Sequence, residues 1–203
     1  MHFSRLRGLA VLACSGLGVL LMASAPAQAH HLMDITGLKP SPINGLLSGL
    51  AHPVLGPDHL LFLLALALLG LQRPRRWVLG LLAVALLGSV VGLLWPGLPG
   101  AEVLVSLTLV LEALVLLQQA PAALLLPAMA MHGYVLSEAV LGWSTMPLGS
   151  YLLGLMLSQG ALLLMAMTLC RHGADVLSRR WRGLTALALI AVGSVFAVGQ
   201  ALG

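Results

Sequence analysis

Charged side chains are scarce in this chain: only 8% of its 203 residues are Asp, Glu, Lys or Arg, whereas 60% are hydrophobic. A soluble domain usually carries about 25% charged residues, so the composition excludes a water-facing globular fold. Lysine is rarer still, because Lys39 is the only one in the chain, and this excludes the Gly-Lys-Ser/Thr run of a Walker A nucleotide site. The composition therefore predicts an all-α, polytopic integral membrane protein that forms a helical bundle in the lipid bilayer.

The net charge of +4 does not indicate nucleic acid binding. Every Lys and Arg lies in the N-terminal leader or in a short segment next to an apolar run, where positive charge sets the orientation of a membrane protein. Cysteine is also rare, with two in the chain, and only Cys170 lies outside the leader. We therefore expect no nucleic acid partner, no intramolecular disulfide and no thiolate metal cluster.

Residues 1–29 have the pattern of a secretory signal peptide. Two arginines precede an apolar stretch over 9–22, and Ala27-Gln28-Ala29 supplies a small-x-small cleavage site. Cleavage would leave residues 30–203 as one six-helix transmembrane domain with its N-terminus outside the cytoplasmic membrane. The alternative is an uncleaved first helix.

Six apolar segments follow the leader, each about long enough to cross a hydrocarbon core of roughly 30 Å. They cover residues 45–71, 77–94, 101–118, 122–141, 148–170 and 183–202. The first and fifth loops are rich in arginine, whereas the second and fourth contain neither Lys nor Arg. The positive-inside rule then predicts six spans in the bacterial inner membrane, with both ends of the mature chain external.

Two glycine pairs have the four-residue spacing of closely packed transmembrane helices, Gly45 with Gly49 and Gly88 with Gly92. The methionines form no repeated Met-x-x-Met array, so we interpret them as packing residues and not as a copper(I) site. His172 and Asp175 fall in the arginine-rich fifth loop, where we expect them to be solvated and dispensable.

Ionisable residues within the predicted spans are the strongest functional signal. They are Asp58, Glu102, Glu112, Glu138, His52, His59 and His132. A charged group near the bilayer centre costs about 2.5–3.5 kcal/mol even on the permissive insertion scale. We therefore expect these side chains to face the bundle interior, to pair with one another, or to bind a ligand.

The densest group of polar residues lies between His52 and His59. A continuous helix would hold these two side chains about 10 Å apart, too far to share one ion. However, Pro53 and Pro57 remove backbone donors and weaken the helix at this point. A break there would bring Asp58 together with both histidines and build a metal site of the kind found on discontinuous transporter helices. The alternative is a structural kink with hydrogen-bonded imidazoles.

The order of the groups along the spans predicts a path for a cation. Glu102, Glu138 and His52 fall in the outer half, whereas Asp58, His59 and His132 fall near the middle. Glu112 lies further inward and could pass on an ion or a proton. The alternatives are an interfacial role for Glu102, snorkelling of Glu138 to the surface, a carbonyl partner for His132, and hydrogen bonding of Glu112 to Thr108 or Gln118.

A second metal-binding element is predicted at the N-terminus of the mature chain. His30 would follow the cleavage site, and its free amine and imidazole, next to His31, could capture a divalent ion outside the membrane. The alternative is that these exposed histidines are inert.

The run from Gly49-Leu50-Ala51-His52-Pro53 through Gly56-Pro57-Asp58-His59-Leu60 resembles the HPxxGxDH signature of the HupE/UreJ family of nickel/cobalt permeases. Two further elements resemble that family. His132-Gly133 with Glu138 is similar to its HGxxxGxE element, with Ser137 in place of the second glycine, and Glu102 with Ser106 is similar to its ExxxS element.

This resemblance implies a non-enzymatic secondary transporter that imports Ni²⁺ or Co²⁺ as substrate, without a tightly bound cofactor. It implies metal ligation by His52, Asp58, His59, His132, Glu138, Glu102 and His30. One alternative is an intramembrane zinc-dependent hydrolase, although the HExxH motif is absent. The other is a non-transporting storage or accessory subunit linked to hydrogenase or urease maturation. A homo-oligomer is compatible with either.

Overall fold

The computed structural model describes residues 39–142, 144–171 and 178–202. Over these ranges the chain is almost entirely helical, with no β-strand, which confirms the all-α prediction for this part of the protein. The predicted signal peptide, His30 and His172 lie outside the described residues, so the expectations about them stay predictions.

The described ranges contain seven α-helices and two short 3₁₀ turns. The helices are α1 (Pro42–Leu55), α2 (Pro57–Gly70), α3 (Arg75–Leu94), α4 (Ala101–Leu116), α5 (Leu125–Leu136), α6 (Thr145–Arg171) and α7 (Arg179–Leu202). The 3₁₀ turns, Ala122–Leu124 and Glu138–Val140, flank α5 and extend it at both ends.

Four helical stretches are long and apolar enough to cross a membrane: α3, the stretch around α5, α6 and α7. The bent pair of α1 and α2 brings the number to five if the pair is one span. With 16 residues, α4 is shorter than the roughly 20 residues that a spanning helix needs. A multi-pass membrane protein is therefore supported, whereas the predicted third span, over 101–118, does not reach full length as a helix.

The predicted first span is broken at Gly56, between α1 and α2. The two helices meet at an angle of 74°. Pro57 has no backbone N–H and disfavours a helical conformation in the residue before it, so Gly56 is extended, with φ −83° and ψ 106°. The N–H of Gly56 still donates to the carbonyl of His52 at 3.0 Å, which closes the last turn of α1. The sequence-based expectation of a break at this point is confirmed.

The helices pack mainly in pairs: α1 against α6, α3 against α5, and α4 against α7. Both predicted glycine pairs lie at such contacts. A Cβ atom at Gly49 would collide with the backbone carbonyl of Tyr151, and one at Gly88 with that of Ala130. Large buried side chains fill the centre of the bundle: Phe62, Leu66, Leu81, Leu109, Leu125 and Leu163.

The first and third connections lie at one end of the bundle, and the second lies at the other. Arg73 of the first connection, Gln118 of the third and Arg182 at the start of α7 line one pocket. At the other end, the hydroxyl of Tyr134 near the C-terminus of α5 donates to the carbonyl of Trp95 at 2.7 Å and accepts from the N–H of Leu98 at 2.9 Å. Which of these two ends faces the cytoplasm stays a prediction.

Candidate metal site at the broken helix

The break between α1 and α2 brings two histidines together. The rings of His52 and His59 stack with their centroids 6.0 Å apart and their planes 21° from parallel. Both side chains are buried, with 5% and 2% of their surface exposed. The bend thus turns residues that a continuous helix would hold about 10 Å apart into neighbouring imidazoles.

A third histidine joins the pair from α5. The Nδ1 atom of His132 lies 3.2 Å from the Nδ1 atom of His59, and the two ring centroids are 5.1 Å apart. The ring of Phe62, one turn further along α2, stacks on His132 at 3.8 Å. The contact with Phe62 restricts the plane of the His132 ring. Because His59 contacts both His52 and His132, the three histidines form one packed group.

Asp58 places a carboxylate beside these rings. Its Oδ1 atom accepts a hydrogen bond from the backbone N–H of His59 at 2.9 Å and lies 3.6 Å from the Nδ1 atom of the same residue. Asp58 also lies in the first turn of α2, where the helix dipole favours negative charge. The proline that breaks the span therefore also creates the helix N-terminus that stabilises this buried carboxylate.

The hydrogen bonds define which nitrogen of His59 carries a proton. The hydroxyl of Thr108 donates its single proton to the carbonyl of Val105 at 2.6 Å, so it accepts from Nε2–H of His132 at 2.7 Å. In neutral His132, Nδ1 is then an acceptor and receives the proton of Nδ1–H on His59. His59 is thereby held as the tautomer whose Nε2 atom has the lone pair.

The same argument applies to His52. The hydroxyl of Tyr151 in α6 donates to the carbonyl of Leu136 at 2.6 Å, so it accepts from Nδ1–H of His52 at 2.8 Å. The Nε2 atom of His52 then has the lone pair as well. Metal-binding histidines usually donate their second ring N–H to a protein acceptor in this way, which fixes both tautomer and orientation.

The outer carboxylates are near the cluster. Glu102 at the start of α4 and Glu138 in the 3₁₀ turn after α5 are both half-buried. Glu102 is close enough to Asp58 and Glu138 for their charges to interact. The Oε2 atom of Glu102 and the hydroxyl of Ser106 are buried without a hydrogen-bond partner in the described part of the chain. Unsatisfied oxygen atoms are thus present at the end of α4 that lies near the histidines.

These residues do not form a ready-made coordination sphere. Within the described ranges, no group of three or more His, Cys, Asp or Glu side chains is arranged to hold a metal ion. The structure brings His52, Asp58, His59 and His132 together as a hydrogen-bonded cluster, and Glu102 and Glu138 adjoin it. Their role as ligands stays a prediction.

Glu112 occupies a different environment, deeper along α4. Its side chain is fully buried, at 0% exposure, and neither carboxyl oxygen has a hydrogen-bond partner among the described residues. Thr108, one turn away, bonds to Val105 and His132 instead. The alternative that Glu112 is stabilised by Thr108 or Gln118 is therefore wrong.

Comparison with known proteins decides the family. A family model described as "HupE / UreJ protein" matches residues 18–197, which is most of the chain. This chain belongs to the HupE/UreJ family. That family is associated with nickel or cobalt transport and with urease or hydrogenase maturation. No curated protein and no solved structure matches the chain.

One departure from the HupE/UreJ pattern has a structural explanation. Ser137 replaces the glycine of the family's HGxxxGxE element, yet its side chain is completely buried. Its hydroxyl donates to the carbonyl of Tyr134 at 2.7 Å. A Cβ atom on Gly92 of α3 would collide with this hydroxyl. The absence of a side chain at Gly92 therefore makes room for the serine at 137.

Sequence reasoning missed the residues that orient the HupE/UreJ histidines. Tyr151, Thr108 and Phe62 were not predicted to touch the cluster, although each contacts one of its imidazoles. A signal existed for Tyr151, because a tyrosine inside an apolar span needs a partner for its hydroxyl. For Thr108 and Phe62 the sequence offers no comparable signal.

Proposed function

We propose that this HupE/UreJ family member is a secondary transporter that imports a divalent transition-metal ion, Ni²⁺ or Co²⁺, across the cytoplasmic membrane. The main support is the pair of stacked histidines at the broken helix. His52 and His59 each direct Nδ1–H toward a protein acceptor and so keep Nε2 as the basic nitrogen. Imidazole nitrogen suits these borderline ions.

The surrounding carboxyl groups support a path through this site. Glu102, Glu138 and Asp58 would attract a cation from the outer side and replace part of its water shell with oxygen ligands. The ion would then reach the imidazoles of His52 and His59 at the break. Transporters commonly place their substrate sites at such discontinuous helices, near the middle of the membrane.

The looseness of the cluster also fits transport. A permeating ion must bind strongly enough to enter and weakly enough to leave. Since the described residues hold no preformed group of three ligands, we propose that His132 or Asp58 moves to complete the coordination when an ion arrives. Glu112, fully buried and without a hydrogen-bond partner among the described residues, would accept the ion or a proton on the inner side.

Orientation forms part of the proposal. The end of the bundle that carries Arg73 and Arg182 would face the cytoplasm, because positive residues are retained on that side. The zinc-dependent hydrolase receives no comparable support. The HExxH motif of many zinc hydrolases is absent from the sequence.

Uptake by purified protein in liposomes tests this proposal. We expect wild-type vesicles to accumulate ⁶³Ni²⁺ or ⁵⁷Co²⁺ and His59→Ala vesicles to lose at least about 100-fold in uptake at limiting metal, because loss of a ligand exceeds the loss from an orienting residue. His172→Ala is the matched control and should transport normally. Metal binding without uptake in wild type would favour the storage or accessory function instead. A wild-type protein that neither binds nor takes up the metal would contradict both the transport function and the storage or accessory function.

A further inference from the structure

A polar pocket lies at the end of the bundle that carries the first and third connections and the start of α7. Its volume is about 70 Å³, which leaves room for a group larger than a single water molecule. Its lining includes Arg73, Arg182, Gln72, Gln118, Trp77 and Leu116. The pocket lies at the opposite end of the bundle from Tyr134 and is separate from the histidine cluster.

Two arginines from distant parts of the chain converge on this pocket. Arg73 follows α2, and Arg182 belongs to the first turn of α7. Within the described ranges no carboxylate pairs with either guanidinium; the ion-pair contact found there joins His59 and Asp58. The guanidinium of Arg73 lies 5.8 Å from the ring centroid of Trp77, a cation–π contact that orders it. Positive charge therefore converges here without a described anionic partner.

Gln118 adds a further polar residue to the lining of the pocket. Gln118 follows the C-terminus of α4 with φ at 62°, a left-handed conformation that glycine adopts more easily. The N–H of Gln118 donates to the carbonyl of Val115 at 3.0 Å, as expected at a helix end. Glutamine carries a side-chain amide that glycine would lack, and Gln118 is one of the residues that line the pocket together with the two arginines.

We propose that this pocket binds the phosphodiester head group of an anionic phospholipid. The pocket lies where the apolar helices end, so it is at head-group depth, and Trp77 is the side chain expected at that depth. Guanidinium groups bind phosphate oxygens in pairs, and the glutamine amides can donate to the same group. Leu117 and Leu184, 37% and 41% exposed, adjoin the pocket residues in sequence and offer apolar surface to the acyl chains. This inference does not depend on the transport function.

Native mass spectrometry of the full-length protein in detergent, with added phosphatidylglycerol or phosphatidylcholine, tests the proposal. We expect wild type to retain phosphatidylglycerol in preference to phosphatidylcholine. The double variant Arg73→Gln/Arg182→Gln should bind phosphatidylglycerol about thirty-fold more weakly, given the usual contribution of two basic residues near an anionic lipid. The matched control Arg76→Gln/Arg180→Gln removes the same charge from exposed neighbours outside the pocket lining and should change binding by less than about three-fold.

A second variant separates binding from folding. Gln118→Gly relieves the left-handed backbone, so the protein should melt at an equal or higher temperature while its retention of phosphatidylglycerol falls. Equal losses in both arginine double variants would assign binding to general surface charge and overturn the proposal. Displacement of the lipid by millimolar inorganic phosphate, with phosphate alone raising the melting temperature, would show a free-anion site and overturn it as well.

Discussion

The histidines at the broken helix and Glu112 in α4 are comparably buried, but their surroundings differ. His52 and His132 bond to hydroxyl groups that are themselves anchored to backbone carbonyls, of Leu136 through Tyr151 and of Val105 through Thr108. Glu112, at 0% exposure, has no hydrogen-bond partner among the described residues. One region is a network of imidazoles anchored through hydroxyl groups to the backbone, and the other is a single acid among apolar side chains.

This difference indicates how each region is maintained. A buried polar group that is hydrogen-bonded costs little, whereas one left unsatisfied costs about 1–3 kcal/mol of stability. The histidine network is therefore organised before any ion arrives, with its tautomers fixed. Glu112 is expected to lower the stability of the protein, which favours a functional role for its side chain over a role in folding.

Of the changes that test this comparison, we expect the largest effect, on Ni²⁺ affinity, from a substitution of Tyr151. Tyr151→Phe removes the acceptor for Nδ1–H of His52 but keeps the ring in place. We expect Ni²⁺ affinity to fall by about 10–100-fold, as for other residues that orient a metal-binding histidine. Isothermal titration calorimetry measures it. Tyr134→Phe, which affects only the contact with Trp95 and Leu98, is the control. Equal affinities in wild type and Tyr151→Phe would show that this hydroxyl does not orient a ligand.

Stability measurements on two variants would test the difference between the hydrogen-bonded histidines and the unpartnered Glu112 directly. His132→Leu removes one hydrogen bond from the hydroxyl of Thr108 and one from Nδ1 of His59, and should lower the free energy of unfolding by about 1–3 kcal/mol. Glu112→Leu removes an unsatisfied carboxyl group and should raise it by about 1 kcal/mol. Reversible unfolding in mixed micelles reports both. A destabilised Glu112→Leu protein would mean that Glu112 belongs to a stabilising network.

The smallest effect is expected for Glu112→Gln, which keeps the shape of the side chain and removes its acidity. Because Glu112 lies beyond the histidines, we expect the initial rate of ⁶³Ni²⁺ uptake to fall by less than about ten-fold, below the effect of losing an orienting residue. Equilibrium Ni²⁺ binding should be unchanged. A loss of uptake as complete as that of His59→Ala would place Glu112 within the primary site.

The break in the first span was predictable because its cause is local. Pro57 excludes a helical conformation at Gly56 through bonded geometry that the sequence shows directly. The glycine contacts of α1 and α3 were predictable for a similar reason, since the absence of a side chain permits close approach. Features that depend on one or two adjacent residues could therefore be predicted from the sequence.

The partners of the histidines were not predictable, because they are distant in sequence. Tyr151 lies 99 residues from His52, and Thr108 lies 24 residues from His132. Nothing in either segment specifies which helix it will face. Helix ends were also imprecise: α7 begins at Arg179, before the apolar segment predicted from 183, because arginine is a good helix former outside the hydrocarbon region.

The most direct test of the central claim is X-ray absorption at the nickel K-edge of purified protein loaded with an equimolar amount of Ni²⁺. The account predicts scattering from imidazole rings in wild type and its loss in the double variant His52→Ala/His59→Ala, with that variant still folded. Bound nickel with oxygen ligands alone in wild type, or an unchanged spectrum in the double variant, would contradict a metal site at the broken helix.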